Sequence, residues 1–254
     1  VLQELGALDP VGEIPVDRYA LAEREAPAAR PQAAPAQPMG RPPAPAPEPP
    51  EAIKVDPVAV AEAAAARATT LDALREAMAA YPHCDLKKGA RNTVFCDGNP
   101  RARVTVIGEA PGRDEDLEGR PFVGRAGQLL DRMFAAIGLG RTSPDAERAI
   151  YITNVMPWRP PSNREPLPEE MAMMVPFLRR HVELVDPEVI VVMGNTPATA
   201  VLRQRGITRL RGNWTQAWGK PVLPMLHPAY LLRNPVAKRE AWADLLLLQA
   251  HLQG

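Results

Sequence analysis

From about residue 103 onward, short apolar and β-branched segments alternate with longer segments whose apolar residues recur at helical spacing. The short segments predict strands over 104–107, 150–155, 189–193 and 222–226. The longer ones predict helices over 126–137, 169–185, 197–203 and 238–252. This alternation is typical of an α/β protein whose helices cover both faces of a sheet. We therefore expect a three-layer sandwich around a central, mainly parallel sheet of four strands.

The N-terminal part of the chain has a different pattern. Residues 31–50 contain nine prolines and five alanines, a composition that favours an extended, semi-rigid linker over helix or sheet. Residues 58–80 are alanine-rich and strongly helical, with Thr70 or Asp72 as a candidate N-cap inside the run. We therefore predict a largely disordered arm over 1–57 and one folded domain over 58–254.

Composition excludes several classes of protein. Basic and acidic residues both number 30, although residues 78–254 carry a small basic excess that is compatible with a polyanionic partner. Two cysteines are too few for a disulfide scaffold and fit a reducing compartment. The sequence shows neither an apolar run long enough to span a membrane nor a signal-peptide pattern. We expect a cytoplasmic monomer without membrane contact.

Four loops follow the four predicted strands. They cover residues 108–124, 154–164, 194–196 and 227–234. In an open α/β sheet, ligands bind beyond the carboxyl ends of the strands, so these loops are expected to converge on one cleft. The first loop does not have the glycine spacing of a dinucleotide-binding turn, and no Walker-type phosphate loop is present. A small-nucleotide hydrolase is therefore a weak alternative.

Each candidate residue in these loops also has an ordinary structural interpretation. Asn154 at a strand end is typical of a turn or cap, and His227 before a proline is typical of a hydrogen-bonded loop histidine. Phe122 and the pair Leu231 and Leu232 would usually be buried in a core. The glycines are also typical of a tight turn. The acidic residues are also typical of a solvent-exposed face.

Considered together, the same residues form a chemically consistent set. An aromatic ring such as Phe122 can stack on a planar heterocycle, and an amide such as Asn154 can read one donor and one acceptor on its edge. His227 can steady negative charge that develops on a departing base. Exposed backbone N–H groups after a strand can bind a carbonyl oxygen or a phosphate. An apolar pair beside Arg233 can wedge into a duplex while the base is held outside it.

Five segments, in this order and spacing, strongly resemble the family 4 branch of the uracil-DNA glycosylases. They are 108–112 (GEAPG), 119–124 (GRPFVG), 151–154 (YITN), 159–164 (RPPSNR) and 227–232 (HPAYLL). The resemblance covers about residues 81–250 and excludes the proline-rich arm. It implies a uracil-DNA glycosylase-like fold, a DNA repair enzyme as function, and uracil-containing DNA as partner. Such an enzyme flips uracil out of DNA and hydrolyses its N-glycosidic bond, leaving an abasic site.

The resemblance also implies roles for residues around the uracil. Gly108 to Ala110 would offer backbone contacts to the base. Phe122 would stack on it, Asn154 would read its O4 and N3 edge, and His227 would stabilise charge at O2. These expectations concern the substrate-binding part of the site, and tolerance for other deaminated bases stays open.

A second group of residues is implied to contact the DNA. Asn163 would support a phosphate or the attacking water. Leu231 or Leu232 would fill the space that the flipped base leaves, with Arg233 near the DNA backbone. The proline-rich arm offers a tether to a protein partner in repair or replication.

One departure from the related family 1 enzymes concerns catalysis. Those enzymes carry a catalytic Asp in the first motif, and the matching position here is Ala110. Catalysis would then depend on leaving-group stabilisation and on Glu109 or Glu115, between which the sequence does not decide. The missing carboxylate also motivates an alternative function, a non-catalytic DNA-binding or interaction module on the same fold.

A second departure concerns a cofactor. Typical family 4 members bind an iron–sulfur cluster through four cysteines, and the matching positions here are Tyr81, Cys84, Trp158 and Met174. A single thiol is retained, and Cys96 lies outside the pattern. We therefore predict a branch of the superfamily that carries no cluster and no other metal.

Overall fold

The structure is a computed structural model that describes residues 55–254. Its strands are β1 (Asp97–Gly98), β2 (Val104–Gly108), β3 (Ile150–Asn154), β4 (Val189–Met193), β5 (Thr215–Ala217) and β6 (Lys220–Met225). Its helices are α1 (Pro57–Arg67), α2 (Leu71–Ala80), α3 (Leu86–Gly89), α4 (Arg113–Glu118), α5 (Arg125–Ala135), α6 (Pro168–Val185), α7 (Asn195–Leu202), α8 (Ile207–Leu210), α9 (Pro228–Arg233) and α10 (Lys238–Gln253). The predicted arm over 1–57 lies almost wholly outside the described residues and stays a prediction.

The six strands form one sheet in the order β1-β3-β2-β4-β6-β5. The four central strands are parallel, which confirms the predicted mainly parallel core. The predicted count of four is wrong, because β1 and β5 pair antiparallel to the two edges. Both edge strands are only two or three residues long, and so short a segment gives no recognisable apolar alternation.

The central strands are covered by helices on both faces. All residues of β2, β3 and β4 are buried, although successive side chains of a strand point to opposite faces. A strand buried in this way has a packing layer on each side, as in other parallel α/β sheets. This arrangement confirms the expected three-layer sandwich.

The alanine-rich run at 58–80 forms two helices, not one. Asp56 caps α1 by accepting a hydrogen bond from the Val58 amide at 2.9 Å. Thr70 caps α2, since its hydroxyl accepts from the Ala73 amide at 3.1 Å. Thr70 is therefore the N-cap, and Asp72 lies in the first turn, where its charge favours the helix dipole. Both helices pack against α6.

The topology places an opening at the carboxyl end of β2. The chain passes from β2 to β3 on one side and later returns to β4 on the other side of β2. The loops that leave these strands diverge at such a reversal, and the crevice between them is where open α/β sheets bind ligands. Within residues 55–254, no helix is long and apolar enough to cross a membrane.

Candidate active site

The loops that follow β2, β3, β4 and β6 meet in one cleft of about 650 Å³, as their positions in the sequence predict. Two of these loops contain short helices, α4 in the first and α9 in the fourth, where only loops are predicted. The predicted site residues that line the cleft are Glu109, Ala110, Glu115, Phe122, Asn154, Asn163, His227 and Arg233.

Gly108, a predicted site residue, ends β2 and is buried; it is not among the residues that line the cleft. A Cβ atom on Gly108 would collide with the Asn154 side-chain oxygen and with the Phe122 ring, whose Cζ lies 2.6 Å from that position. The absent side chain therefore lets Asn154 and Phe122 approach the strand end. The carbonyl oxygens of Gly108 and Glu109 accept hydrogen bonds from the Val155 and Met156 amides, so they help to hold the first and second loops together.

Asn154 ends β3 and lies directly opposite Gly108 in the parallel register. Its side chain is only 7% exposed, and its Oδ1 has no hydrogen-bond partner among the described residues. A buried acceptor without a partner costs about 1–3 kcal/mol. Because Asn154 also lines the cleft, this cost is relieved if a ligand supplies the donor.

Phe122 forms one wall of the cleft in a backbone conformation that few residues adopt. Its φ is +54°, in the left-handed region that is uncommon for a bulky residue. The Arg141 guanidinium holds the turn by donating to the carbonyl oxygens of Pro121 and Phe122, both at 2.9 Å. Gly127 of α5 lies against the Phe122 carbonyl so closely that a Cβ would collide with it. The Phe122 ring lies 5.4 Å from the His227 ring, centroid to centroid.

His227 is the N-cap of α9, and its ring has a defined tautomer. Nδ1 accepts a hydrogen bond from the Ala229 amide at 3.1 Å. A neutral imidazole that accepts at Nδ1 carries its proton on Nε2, so Nε2 is the donor. Burial, with a smaller contribution from the Arg233 charge, lowers the pKa of His227 to about 4. The ring is therefore neutral at pH 7 and can donate one hydrogen bond.

Glu115, one of the two candidate carboxylates, is bound by backbone amides through both of its oxygens. It accepts from the amides of Gly112 at 3.1 Å and of Val123 and Gly124 at 2.9 Å each. Both carboxylate oxygens thus tie the start of the first loop to its end. These bonds give Glu115 a positioning role for Phe122, which lies just before Val123.

Glu109, the other candidate, follows β2 directly and is half-buried in the cleft wall. Burial is the main cause that raises the pKa of this carboxyl, and the Glu165 charge raises it further, while the Thr196 hydroxyl and the Arg205 charge lower it. Ala110 beside it lines the cleft but brings no carboxylate. Of the two predicted acids, Glu109 is the one whose oxygens accept no hydrogen bond from a backbone amide of the described residues, whereas those of Glu115 accept three.

Asn163 lies at the exposed rim of the cleft, in the short 3₁₀ turn Pro161–Asn163. Its side-chain oxygen accepts from Arg159 Nε at 2.7 Å. The next residue, Arg164, pairs with Glu170 of α6 through two hydrogen bonds of 2.8 and 2.6 Å. The second loop is therefore anchored to α6. At the rim of the cleft it carries the Asn163 amide and the Arg159 guanidinium.

Helix α9 does not present its two leucines to the cleft. Leu231 is 1% exposed and belongs to the core, and Leu232 packs against that core. The prediction is that Leu231 or Leu232 fills the space that the flipped base leaves; Leu231 is buried, Leu232 is half-buried, and neither is among the residues that line the cleft. Tyr230 and Arg233, three residues apart and so on one face of the helix, line the cleft instead.

The four positions that correspond to cluster ligands do not form a cluster site. Tyr81, Cys84, Trp158 and Met174 are at most 2% exposed and are all part of the hydrophobic core. Tyr81 donates to the Pro57 carbonyl at 2.7 Å, and Trp158 donates from Nε1 to Thr93 at 3.1 Å. An iron–sulfur cluster needs four thiolates or comparable donors, and this set offers one thiol. Among the described residues, no group of three metal-binding side chains occurs.

Sequence reasoning missed several residues of the site. They are Arg141 behind Phe122, Thr196 beside Glu109, Tyr230 on α9, and the rim ion pair between Glu165 and Arg205 at 2.8 Å. For Tyr230, the sequence does contain an indication, which is its spacing from Pro228. A proline begins a helix well, so residues 228 and 231 share one face and residues 230 and 233 share another.

Comparisons with known proteins agree with this geometry. The Uracil DNA glycosylase superfamily matches residues 95–246, which include the four central strands and all four loops. The chain belongs to the uracil-DNA glycosylase superfamily. The type-4 uracil-DNA glycosylase of Archaeoglobus fulgidus is 42% identical over 182 residues, which are 68% of this chain and 88% of that protein. The Thermotoga maritima type-4 enzyme is 42% identical over 156 residues, 59% of this chain and 77% of that protein.

More distant members of the superfamily are also similar. The type-5 uracil-DNA glycosylase of Pyrobaculum aerophilum is 33% identical over 149 residues, which are 54% of this chain and 66% of that protein. The match to the superfamily confirms the fold class predicted from the sequence. The roles of the individual site residues stay predictions.

Proposed function

We propose that this chain is a uracil-DNA glycosylase that hydrolyses the N-glycosidic bond between uracil and deoxyribose in DNA. One observation carries the proposal. The unpartnered Asn154 Oδ1, the Phe122 ring and the neutral His227 donor converge on one cleft. The similarity to type-4 uracil-DNA glycosylases supports the same activity.

The proposed uracil contacts follow from the chemistry of the cleft. Uracil presents a donor at N3 and an acceptor at O4, and the Asn154 carboxamide presents the complementary acceptor and donor. Cytosine presents an acceptor at N3 and a donor at N4, so the same amide orientation leaves both unmatched. Phe122 supplies a stacking surface. Other deaminated bases with an N–H beside a carbonyl share the uracil pattern, so the proposed range includes them.

In the proposed reaction the bond between C1′ and N1 breaks, and its electron pair leaves with the base. His227 Nε2–H donates a hydrogen bond to uracil O2, where part of the negative charge accumulates. Glu109 accepts a hydrogen bond from a water molecule on the sugar side and stabilises the positive charge at C1′. The water oxygen bonds to C1′, and the proton it loses passes through Glu109 to solvent. The uracil anion takes up one proton at N1 from solvent, which balances the proton lost by the water. The products are free uracil and an abasic site.

We further propose that this reaction needs no iron–sulfur cluster in this chain. The three non-thiol residues at the ligand positions are packed in the core, and every step above uses only protein groups and water. The cleft residues come from the loops after the central strands, which reach their positions through hydrogen bonds to the backbone and to α6.

A uracil-containing oligonucleotide tests the proposal. Wild-type protein should release uracil, and subsequent alkali should cleave the strand at the abasic site. His227→Ala should lower the rate about 10²–10³-fold, the usual effect of removing one donor that stabilises developing charge. His251→Ala is the matched control, since His251 is an exposed histidine on α10 outside the cleft.

Two outcomes would contradict the proposal. If uracil release were unchanged in His227→Ala, the activity would not belong to this site. If the wild-type protein bound uracil-DNA tightly without releasing uracil, the alternative of a non-catalytic DNA-binding module would be favoured.

A further inference from the structure

The cleft has one exposed aromatic side chain, Tyr230, whose role the proposed chemistry leaves open. Within residues 55–254, nine large apolar or aromatic side chains are strongly exposed, and Tyr230 alone among them lines the cleft. Its side chain is 36% exposed. An exposed aromatic ring at the mouth of a nucleic-acid site is a stacking surface, because every base presents a π-face.

The geometry of α9 sets which of its side chains can reach DNA. The helix begins directly after His227, with Pro228 at its first turn. Pro228 and Leu231 face the core and are buried, whereas Tyr230 and Arg233 lie on the opposite side and line the cleft. A helix of six residues has little freedom to rotate while His227 caps it and Leu231 is packed.

The two cleft-facing residues of α9 have complementary chemistry. Arg233 is exposed and carries a positive charge suited to a phosphate oxygen. Tyr230 lies one turn earlier on the same face and is therefore closer to His227 and to the base-binding wall. A side chain that enters a duplex must be bulky and free to leave its own protein contacts, and Leu231 at 1% exposure is not.

We propose that Tyr230 is the side chain that enters duplex DNA and stacks where the flipped uracil nucleotide has left the helix, while Arg233 holds the neighbouring phosphate. This inference rests on the proposed function and refines it. Stacking compensates for the base contacts that are lost when the nucleotide turns out of the duplex. It is needed most where the uracil is paired and stacked, and least where the strand is single.

Enzyme kinetics on two substrates test the proposal. Tyr230→Ala should lower kcat/KM on duplex DNA about 10- to 100-fold, the range that loss of one base–aromatic stack produces. The same variant should retain most of its activity on a single-stranded oligonucleotide of the same sequence. Tyr230→Phe should retain duplex activity because it keeps the ring. Trp242→Ala is the matched control, since it removes an aromatic side chain that is 44% exposed and outside the cleft.

A fluorescence measurement separates stacking from other effects. In a duplex that carries a 2′-fluoro-2′-deoxyuridine analogue, which resists hydrolysis, a neighbouring 2-aminopurine should change its emission when wild-type protein or Tyr230→Phe binds. Tyr230→Ala should bind without that change.

Three outcomes would overturn the inference in different ways. Loss of duplex activity in Leu232→Ala, with none in Tyr230→Ala, would assign the role to the leucine. Equal losses on both substrates in Tyr230→Ala would place the ring in the uracil pocket. A wild-type protein inactive on single-stranded and duplex DNA would overturn the proposed function itself, and with it this inference.

Discussion

His227 should remain a neutral imidazole, protonated at Nε2, throughout the pH range in which the protein is folded and active. The perturbation is acidification from pH 7.5 to 5. An ordinary histidine titrates in the middle of this interval, but burial, aided by the Arg233 charge, lowers the pKa of His227 to about 4. The Nδ1 acceptor role toward the Ala229 amide requires the same neutral form.

The expected magnitude follows from this pKa. A shift from 6.5 to about 4 corresponds to a preference of about 3 kcal/mol for the neutral ring in the folded protein. At pH 5.5 an unperturbed histidine is about 90% protonated, whereas a ring with a pKa of 4 is about 3% protonated. Because the folded pKa lies below the unfolded one, the folded state binds fewer protons between them. Stability should therefore fall as pH decreases from about 6.5 to 4.

Nuclear magnetic resonance of protein labelled in its histidine rings measures this directly. At pH 7 the His227 ring should show a protonated Nε2 and an unprotonated Nδ1, with no titration above pH 5. Arg233→Gln should raise its pKa, and Arg233→Lys should leave it low. A midpoint near 6.5 for His227, or protonation of both ring nitrogens at pH 7, would refute the proposed neutral donor.

Three further predictions concern the proposed catalytic carboxylate, the first loop and the cofactor. Glu109→Gln should lower kcat about 10²–10⁴-fold. Because burial raises the pKa of Glu109, wild-type activity should decline on acidification at a higher pH than an ordinary glutamate would give, and the variant should lose that dependence. Gly127→Ala should displace the Phe122 carbonyl and raise KM for uracil-DNA. Gly140→Ala is the control, because a Cβ at Gly140 meets open space, and it should leave KM unchanged. Equal KM values for the two variants would contradict the proposed role of Phe122 as a wall of the cleft. Protein purified without oxygen should lack the visible absorption of an iron–sulfur cluster and contain no stoichiometric iron, and four irons per active chain would contradict the predicted branch.

The fold was predictable where burial alone determines the pattern. β2, β3 and β4 are continuous apolar runs because both of their faces are covered. Helix α4 gave no comparable signal, since its sequence RDEDLE has one apolar residue and is stabilised by Glu115 and by Gly119 at its end. These are tertiary and capping interactions, which hydrophobic periodicity does not report.

The sequence predicted which residue types form the site. It did not predict which of two similar or adjacent residues is available in the cleft. Glu109 and Glu115 are chemically identical in the sequence, and only the fold places three backbone amides around one of them. Leu231 and Tyr230 are adjacent, and the packed face of α9 decides which of them meets the cleft. The direction of each side chain depends on the residue at which the helix begins. A matching motif therefore predicts that a helix is present more reliably than it predicts which of its side chains point into the cleft.

The residues at the four cluster positions join parts of the fold by packing. These positions lie before α3, after β3 and within α6, so four metal–sulfur bonds would connect three separate parts of the chain. Here the same parts are joined by packing. Tyr81 contacts Phe177 of α6 edge to face, with ring centroids 5.5 Å apart. Trp158 and Met174 are both buried in the same core. Buried aromatic and sulfur side chains contribute large apolar areas. The cleft itself is fastened to α6 separately, through Arg164 and Glu170. The contacts that shape the cleft are therefore separate from the core packing at the four cluster positions.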